Sequence, residues 1–432
     1  MSGVNPDIQP LPATIGDDVI RGTGDFNWQG TSSHATDGIF VYNHIYNYGD
    51  ILFGDAGDDL IIGDLYDNDG FIDYSSDQIN GGDGNDTIYA DTGPENPNWN
   101  TVTTGGSGTS RGGAGDDFLY GGGIADNLYG DADNDTLYGF FGGDYMYGGA
   151  GNDILYGGLG DDSRMQGDDG NDTIYGGDGG DYIYGGRGSD TIYGDLGDDF
   201  ITGEDNGGTR DSLAKDTLTY IQAAGLVHVD LAITTQQETV NAGVDRIVDI
   251  EILVGSNYSD RLFGSALGDT IRGAVGSDAL VGRAGNDSMN GQDGNDWLQG
   301  DAGDDSMWGG NGNDKFFGGA GKDYMSGGAG KDSYYLNHTP SVANRDTIAG
   351  YNVVDDTIYL NKVTFAAVGT AMSADEFHVG TSAGDAEDRI IYNKTAGILY
   401  YDADGTGTAK SAVILTYIDK NLALGHGDFL MA

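Results

Sequence analysis

Between Gly112 and Thr202 the chain repeats itself every nine residues, and that period leaves few folds open. The tract reads GGAGDDFLY, GGGIADNLY, GDADNDTLY, GFFGGDYMY, GGAGNDILY, GGLGDDSRMQ, GDDGNDTIY, GGDGGDYIY, GGRGSDTIY and GDLGDDFIT, ten units of which one carries an extra residue. Gly always stands first and Asp sixth, and an apolar residue comes two places later in nearly every unit. Glycines at the first, second and fourth positions allow a tight loop with positive φ and leave backbone carbonyls uncovered by side chains. The Asp ends that loop. The run from each Asp to the next Gly is too short for a helix, so Leu119, Leu128, Leu137, Met146, Leu155, Ile174, Ile183, Ile192 and Ile201 are expected to point inward from three-residue strands. Two loops and two strands make one coil of 18 residues.

Successive coils stack as parallel strands ~4.8 Å apart, which sets every second Asp above its predecessor. Asp117, Asp135, Asp153, Asp172 and Asp190 make one column; Asp126, Asp144, Asp162, Asp181 and Asp199 make the other. Two carboxylates at that spacing repel by about 3.5 kcal/mol even at an effective dielectric of ~20, and a few such pairs match a domain's stability of about 5–15 kcal/mol. The stack therefore demands a cation between its rungs, and carboxylate plus carbonyl oxygen is a hard ligand set suited to Ca²⁺. Metal binding should then be folding itself. Ordinary turn formation by Asp and Gly explains one or two such units, but not ten in phase.

Outside this tract the phase recurs at Asp50, Asp59, Asp77 and Asp86, with interruptions at 65–76 and 90–111. It resumes at Gly255 for nine units through Tyr335, with Asp260, Asp278, Asp296, Asp314 and Asp332 in one column and Asp269, Asp287, Asp305 and Asp323 in the other. Asp59, Asp86 and the column aspartates are the expected metal ligands, and the gaps between stacked pairs allow up to about 15 Ca²⁺ in the two main blocks.

Composition sharpens the argument. The 432 residues include 79 Gly, 70 acidic residues, 19 Lys plus Arg and no Cys, for a formal charge of −51. Such a surface excludes nucleic acid and anionic membranes as partners, and it predicts an expanded chain when metal is absent. A chain without Cys fits an extracellular protein cross-linked by metal instead of disulfides. Apolar runs never approach ~18 residues, so no membrane insertion is expected. The opening MSGVNPDIQPLPATIG shows no Sec-type signal pattern.

Taken in order, residues 1–47 touch the repeat once at 16–20, then run polar and aromatic through Trp28, His34, Tyr42 and His44, and read as an N-terminal cap. His34 and His44, near Asp37 and Asp50, are read as cap residues in preference to a transition-metal site. Residues 48–111 form a first repeat region with two inserted loops, the second carrying Pro94, Pro97 and Trp99 and expected on the surface. The central roll spans 112–203. In 204–254 the repeat gives way to alternating apolar and polar residues, DTLTYIQAAGLVHVDLAI and DRIVDIEILVGS, expected to keep the core while losing the metal loops. A second roll spans 255–335. The last stretch, 336–432, is β-rich, with one echo at 355–359 and a hairpin turn expected at 393–397.

The two rolls differ in their outward last position. It is Tyr in eight of ten central units (Tyr120, Tyr129, Tyr138, Tyr147, Tyr156, Tyr175, Tyr184 and Tyr193) and mixed in the later block. A functional reading makes this an aromatic ladder for self-association or glycan stacking. Cross-strand packing is the expected account.

The nonapeptides resemble those of the RTX family, the haemolysin-type calcium-binding repeats. The resemblance implies an all-β, right-handed parallel β-roll (a β-helix or solenoid) of Ca²⁺-binding nonapeptides with a β-rich C-terminal segment. Segment 377–407 and the Asp-then-apolar ending at 427–432 resemble the export region of RTX proteins that leave by type I secretion, which implies a C-terminal cap and secretion region at 336–432. The chain would then leave unfolded, through the type I machinery, and fold on Ca²⁺ outside the cell. RTX proteins include enzymes, so other motifs matter. A zinc protease would need H-E-x-x-H, which none of His34, His44, His228, His338, His378 and His426 provides. G-x-S-x-G occurs at 380–384, inside the presumed export segment and without the strand-then-helix setting of a nucleophile elbow. Asp402-Ala403-Asp404-Gly405 partly resembles an EF-hand loop, but Tyr400 stands where the first carboxylate belongs, so a β-turn is expected.

The leading expectation is a secreted, non-enzymatic Ca²⁺-loaded roll with a structural, adhesive or matrix role, extracellular or at the cell surface, with self-assembly or extracellular glycans as partners. Its rivals are a polysaccharide-acting enzyme using loops 65–76 and 90–111, and a glycan-binding module using the Tyr ladder.

Overall fold

Short strands separated by glycine turns bury apolar side chains only by stacking on copies of themselves, and the described residues of the repeat blocks do this coil upon coil. The computed structural model describes residues 19–23, 39–43, 51–54, 57–64, 78–92, 108–204, 214–405 and 411–432. Their strands form sheets of 20, 10 and 8 members, almost all parallel. Consecutive strands go to opposite sheets: Asn127–Ala132 lies in one, while Phe118–Gly122 and Thr136–Phe141 are neighbours in the other. Register advances one coil at a time, with Leu137 beside Leu155 and Tyr138 beside Tyr156. The inward side chains at Leu119, Leu128, Leu137, Met146, Leu155, Ile174, Ile183, Ile192 and Ile201 are fully buried and make one continuous core. The architecture is a parallel β-roll.

Three local expectations are corrected. The strands of the regular coils, such as Thr136–Phe141, have six residues instead of three, because the second and third loop positions also pair between coils. The first-position glycines do not take positive φ; the second and fourth do, as at Gly149 (113°) and Gly151 (153°). Finally, the interruption at 90–111 is narrower than expected. Strands Thr87–Thr92 and Thr109–Ala114 occupy its ends, and Ser110 stands buried where an apolar residue normally sits. The extra residue of the sixth unit is absorbed in its turn, so Met165 still packs beside Met146.

At 214–254 the coil changes. Thr217–Thr219 and Ile252–Val254 continue the long sheet between Thr191–Tyr193 and Thr270–Val275. On the facing side Val244–Val248 pairs with Phe200–Thr202 and the short antiparallel Gln237–Glu238 ends the 10-stranded sheet, while His228–Asp230 begins the 8-stranded one against Arg261–Phe263. One wall of the roll is therefore continuous and the other is broken here. Leu218, Ile247 and Leu253 are buried in line with the repeats, so the core runs through the break.

Beyond Tyr335 the chain closes its own end. Val413–Tyr417 pairs with Asp346–Ala349, and Phe429–Met431 with Thr357–Leu360, which covers the last strand edge of both walls. The expected hairpin is present: Ile390–Asn393 pairs antiparallel with Ile398–Tyr401, and Gly397 (φ 70°) donates its N–H to Asn393 O at 2.8 Å. Among the described residues no helix is long and apolar enough to cross a membrane. Asp50, Asp77, His34, His44 and residues 65–76 and 93–107 lie outside them.

Candidate metal columns

One rung shows how the turn is built. Asp153 accepts, on Oδ1, the backbone N–H of Asp135 one coil before (2.8 Å), and its own N–H goes to Asp172 Oδ1 (2.8 Å). The same bond links Asp59 to Asp86, Asp86 to Asp117, and Asp117 to Asp135. It runs on the other wall from Asp126 through Asp144, Asp162 and Asp181 to Asp199. In the later block it joins Asp260, Asp278, Asp296, Asp314 and Asp332, and Asp269, Asp287, Asp305 and Asp323. The stacking expected from the repeat period is thus present, with every column aspartate buried.

The second oxygen is different. Oδ2 of Asp86, Asp117, Asp135, Asp144, Asp153, Asp162, Asp172, Asp181 and Asp190 is buried and hydrogen-bonds to nothing, and so is Oδ2 of Asp278, Asp287, Asp296, Asp305, Asp314, Asp323 and Asp332. Each such oxygen lies against the α-carbon of the first glycine of its own unit. A Cβ at Gly130 would collide with Asp135 Oδ2 and crowd the carbonyl oxygen of Gly148 on the next coil. Close approach, and not backbone conformation, therefore requires glycine in the first position. Carboxylate and carbonyl oxygens face the same small space.

A buried carboxylate oxygen without a donor costs more than a bond made, and it is costlier when ionised. Burial first, and the charge of neighbouring aspartates second, raises these carboxyls: Asp135, Asp144, Asp162, Asp190 and Asp199 to about 8. Others rise less in both blocks: Asp117, Asp172, Asp278 and Asp314 to about 7, and Asp153, Asp181, Asp287, Asp296 and Asp305 to about 6. Among the described residues no group of three or more His, Asp or Glu side chains converges, so a cation held here takes much of its shell from backbone carbonyls. That all-oxygen set fits Ca²⁺, and Ca²⁺ there would cancel both the mutual repulsion and the orphaned oxygen.

Not every expected ligand has this environment. Asp260 Oδ2 accepts the N–H of Ser256 (2.6 Å), and its Oδ1 accepts the Ser256 hydroxyl (2.8 Å). Asp269 is served likewise by Ser265, at 2.6 and 2.9 Å. In both units Ser replaces the second glycine, and protein donors supply what a cation would supply elsewhere.

The columns also extend past the repeats. Asp216 accepts from Asp190 (3.0 Å), Asp245 from Asp199 (3.1 Å), Asp346 from Asp323 (3.2 Å) and Asp356 from Asp332 (2.9 Å). Sequence reasoning missed these as column members because no GGxG precedes them. The signal that remained is Asp with Leu or Ile two places later, at Leu218, Ile247, Ile348 and Ile358. An outer ladder was missed as well. The fifth-position Asn134, Asn152 and Asn171 bond turn to turn, with Asn152 N to Asn134 Oδ1 and Asn171 N to Asn152 Oδ1 both at 2.8 Å.

Other candidates fare less well. The outward tyrosines Tyr89, Tyr120, Tyr138, Tyr156, Tyr175 and Tyr193 stack on one another at 4.1–5.0 Å between ring centres and nearly parallel. Their faces are consumed by each other, so only edges remain for a sugar, and the geometry favours packing. The Ser382 hydroxyl of G-x-S-x-G bonds neither His378 nor Asp388, the latter pair being 3.6 Å apart. Asp402 is buried and accepts the N–H of Asp404 (3.2 Å), as in a turn.

A family model for the RTX calcium-binding nonapeptide repeat matches residues 46–65, 73–93, 102–137, 138–163 and 164–205, and overlapping windows from 254 to 334. Together these cover more than half of the chain. No curated protein matches it.

Proposed function

From the premise that this chain belongs to the RTX family of calcium-binding nonapeptide-repeat proteins, we propose that it is a secreted roll with a structural, adhesive or matrix role outside the cell. RTX repeats bind Ca²⁺. The finer claims are the location of the ions, up to about 15 between the stacked aspartates, and their consequence for folding. The observation that carries this reading is the row of buried, donorless Oδ2 atoms. Where Ca²⁺ is scarce, a chain of formal charge −51 cannot hold them together and stays expanded, a form suited to passage through a type I export channel. Outside, Ca²⁺ folds it in place.

A structural role in preference to catalysis is supported by how the chain is spent. The described residues from 108 to 204, 214 to 405 and 411 to 432 are roll, junction or end cap, and their longest repeat-free segment serves to close the strand edges. Sedimentation with and without Ca²⁺ tests the proposal: compaction and concentration-dependent assembly in Ca²⁺, reversed by EGTA, are expected. A permanently monomeric protein that turns over an extracellular polymer would overturn the structural role.

A further inference from the structure

We propose that a groove beside the junction binds an acidic sugar residue, seated between Arg261 and Trp297. The groove encloses about 440 Å³ and is walled at one end by Leu226, His228 and Val240. Along it runs a single register column of seventh-position residues, Arg261, Ala279, Trp297 and Lys315, on successive strands.

Charge is the first observation. In a chain with 70 acidic and 19 basic residues, the guanidinium groups of Arg111, Arg187 and Arg283 each hold an aspartate. Arg261 and Lys315 hold none: among the described residues neither side chain has a hydrogen bond or an ion pair. Both are exposed, while the carboxyls of Asp278 and Asp296 nearby are buried. Two uncommitted cations in one groove of so acidic a surface make a local site for an anion.

Shape is the second. One face of Trp297 is covered by Phe317 on the next strand, at 4.4 Å between ring centres. Its N–H reaches Gln299 Oε1 (3.3 Å), no ring among the described residues covers its second face, and Trp297 remains 40% exposed beside Ala279, whose methyl is too small to cover an indole. Arg261 and Trp297 stand two strands apart, roughly 9.5 Å, which admits one ring, since contacts of ~3.5–4 Å on its two sides take up about 7–8 Å. A pyranose fits it with its C–H face on the indole and a ring carboxylate on the guanidinium fork, and Lys315 adds a second positive charge. At the rim, Asn295 and Asn313 use their Oδ1 atoms to accept backbone N–H groups (2.7 and 2.8 Å) and keep their NH₂ groups for sugar hydroxyls.

The inference builds on the adhesive role proposed for the roll, and sedimentation of the same samples separates failure of that role from failure of this groove. The test is a titration of the full chain in Ca²⁺ with tetragalacturonate and with neutral maltotetraose, read by Trp fluorescence and calorimetry. Binding of the uronate alone is expected, weakened about tenfold or more by Arg261→Ala and by Trp297→Ala. Ala279→Trp should abolish it by filling the slot. That variant keeps the fold, since Trp297 already occupies an equivalent position. No uronate binding, equal binding of maltotetraose, or binding that survives all three substitutions, as a Ca²⁺ bridge at the acidic surface would, overturns the proposal.

Discussion

The regular roll and the junction at 214–269 share one core and differ in what answers their aspartates. In the roll, column carboxylates keep a buried oxygen with no protein donor. In the junction the donors are side chains. Ser256 and Ser265 serve Asp260 and Asp269; Thr239 Oγ1 (2.8 Å) and the buried Tyr220 hydroxyl (3.3 Å) serve Asp245. Arg283 grips Asp230 with two bonds of 2.6 Å and also reaches Gly264 O (2.9 Å). On the proposed reading, the junction does with hydroxyls and a guanidinium what ions would do in the roll. The same backbone period would then be metal-dependent or metal-independent according to one residue in nine.

The largest expected effect is regional. On removing Ca²⁺, hydrogen exchange should lose most protection across 108–204 and 273–335, while 217–263 keeps the most, because its carboxylates are already satisfied. Uniform loss, or uniform retention, would break the comparison. Single substitutions sharpen it. Asp153→Ala removes a buried acceptor and a candidate ligand at once, costing about 1–3 kcal/mol for the orphaned N–H alone and raising the Ca²⁺ concentration needed to fold. Asp260→Ala should lower thermal stability by a similar amount yet leave the Ca²⁺ midpoint where it was. A Ca²⁺ titration monitored by circular dichroism reads both.

Acid should act in a definite direction. The column carboxyls are raised in the folded, metal-free chain by burial and then by neighbouring charge, so that state binds more protons than the unfolded one, whose carboxyls sit near ~4. Metal-free stability therefore rises as pH falls from about 8 toward 4, and Ca²⁺ competes with those protons. Lowering the pH from about 8 to 6 should weaken Ca²⁺ binding, first at rungs such as Asp135 and Asp162, which reach about 8, and later at rungs such as Asp153, Asp287 and Asp305, which reach about 6. Proton release on Ca²⁺ addition at pH 7, measured calorimetrically in buffers of different ionisation heat, checks the sign.

The features legible in sequence were those that a strict period enforces. Leu137 over Leu155 and Asp135 over Asp153 come from counting, because parallel stacking turns an 18-residue repeat into vertical alignment. Counting cannot supply the reason for each glycine: Gly130 is needed for the carboxylate beside it, a contact only the folded turn creates. Nor does it reveal the broken wall, since between His228–Asp230 and its partner Arg261–Phe263 the strand Val244–Val248 turns back to pair with Phe200–Thr202. Asp216 and Asp245 escaped for a related cause: the loop ahead of them differs, while the strand they open is ordinary.

The smallest effect tests the one-residue difference itself. Ser256 and Ser265 occupy the second position of their units, where the roll has Gly113, Gly149 or Gly158 at positive φ. Ser256→Gly with Ser265→Gly removes the hydroxyls from Asp260 and Asp269 and restores the repeat consensus. In EGTA the double variant should lose about 1–2 kcal/mol for two hydroxyl bonds to carboxylates, partly offset by backbone relaxation. In Ca²⁺ it should regain that stability once glycine at 256 and 265 takes the positive φ of the roll's second position and turns away the N–H groups that now reach Oδ2 of Asp260 and Asp269. A loss of stability that Ca²⁺ does not restore would mean that the serines shape the turn, and that neutralising the aspartates is not what separates junction from roll.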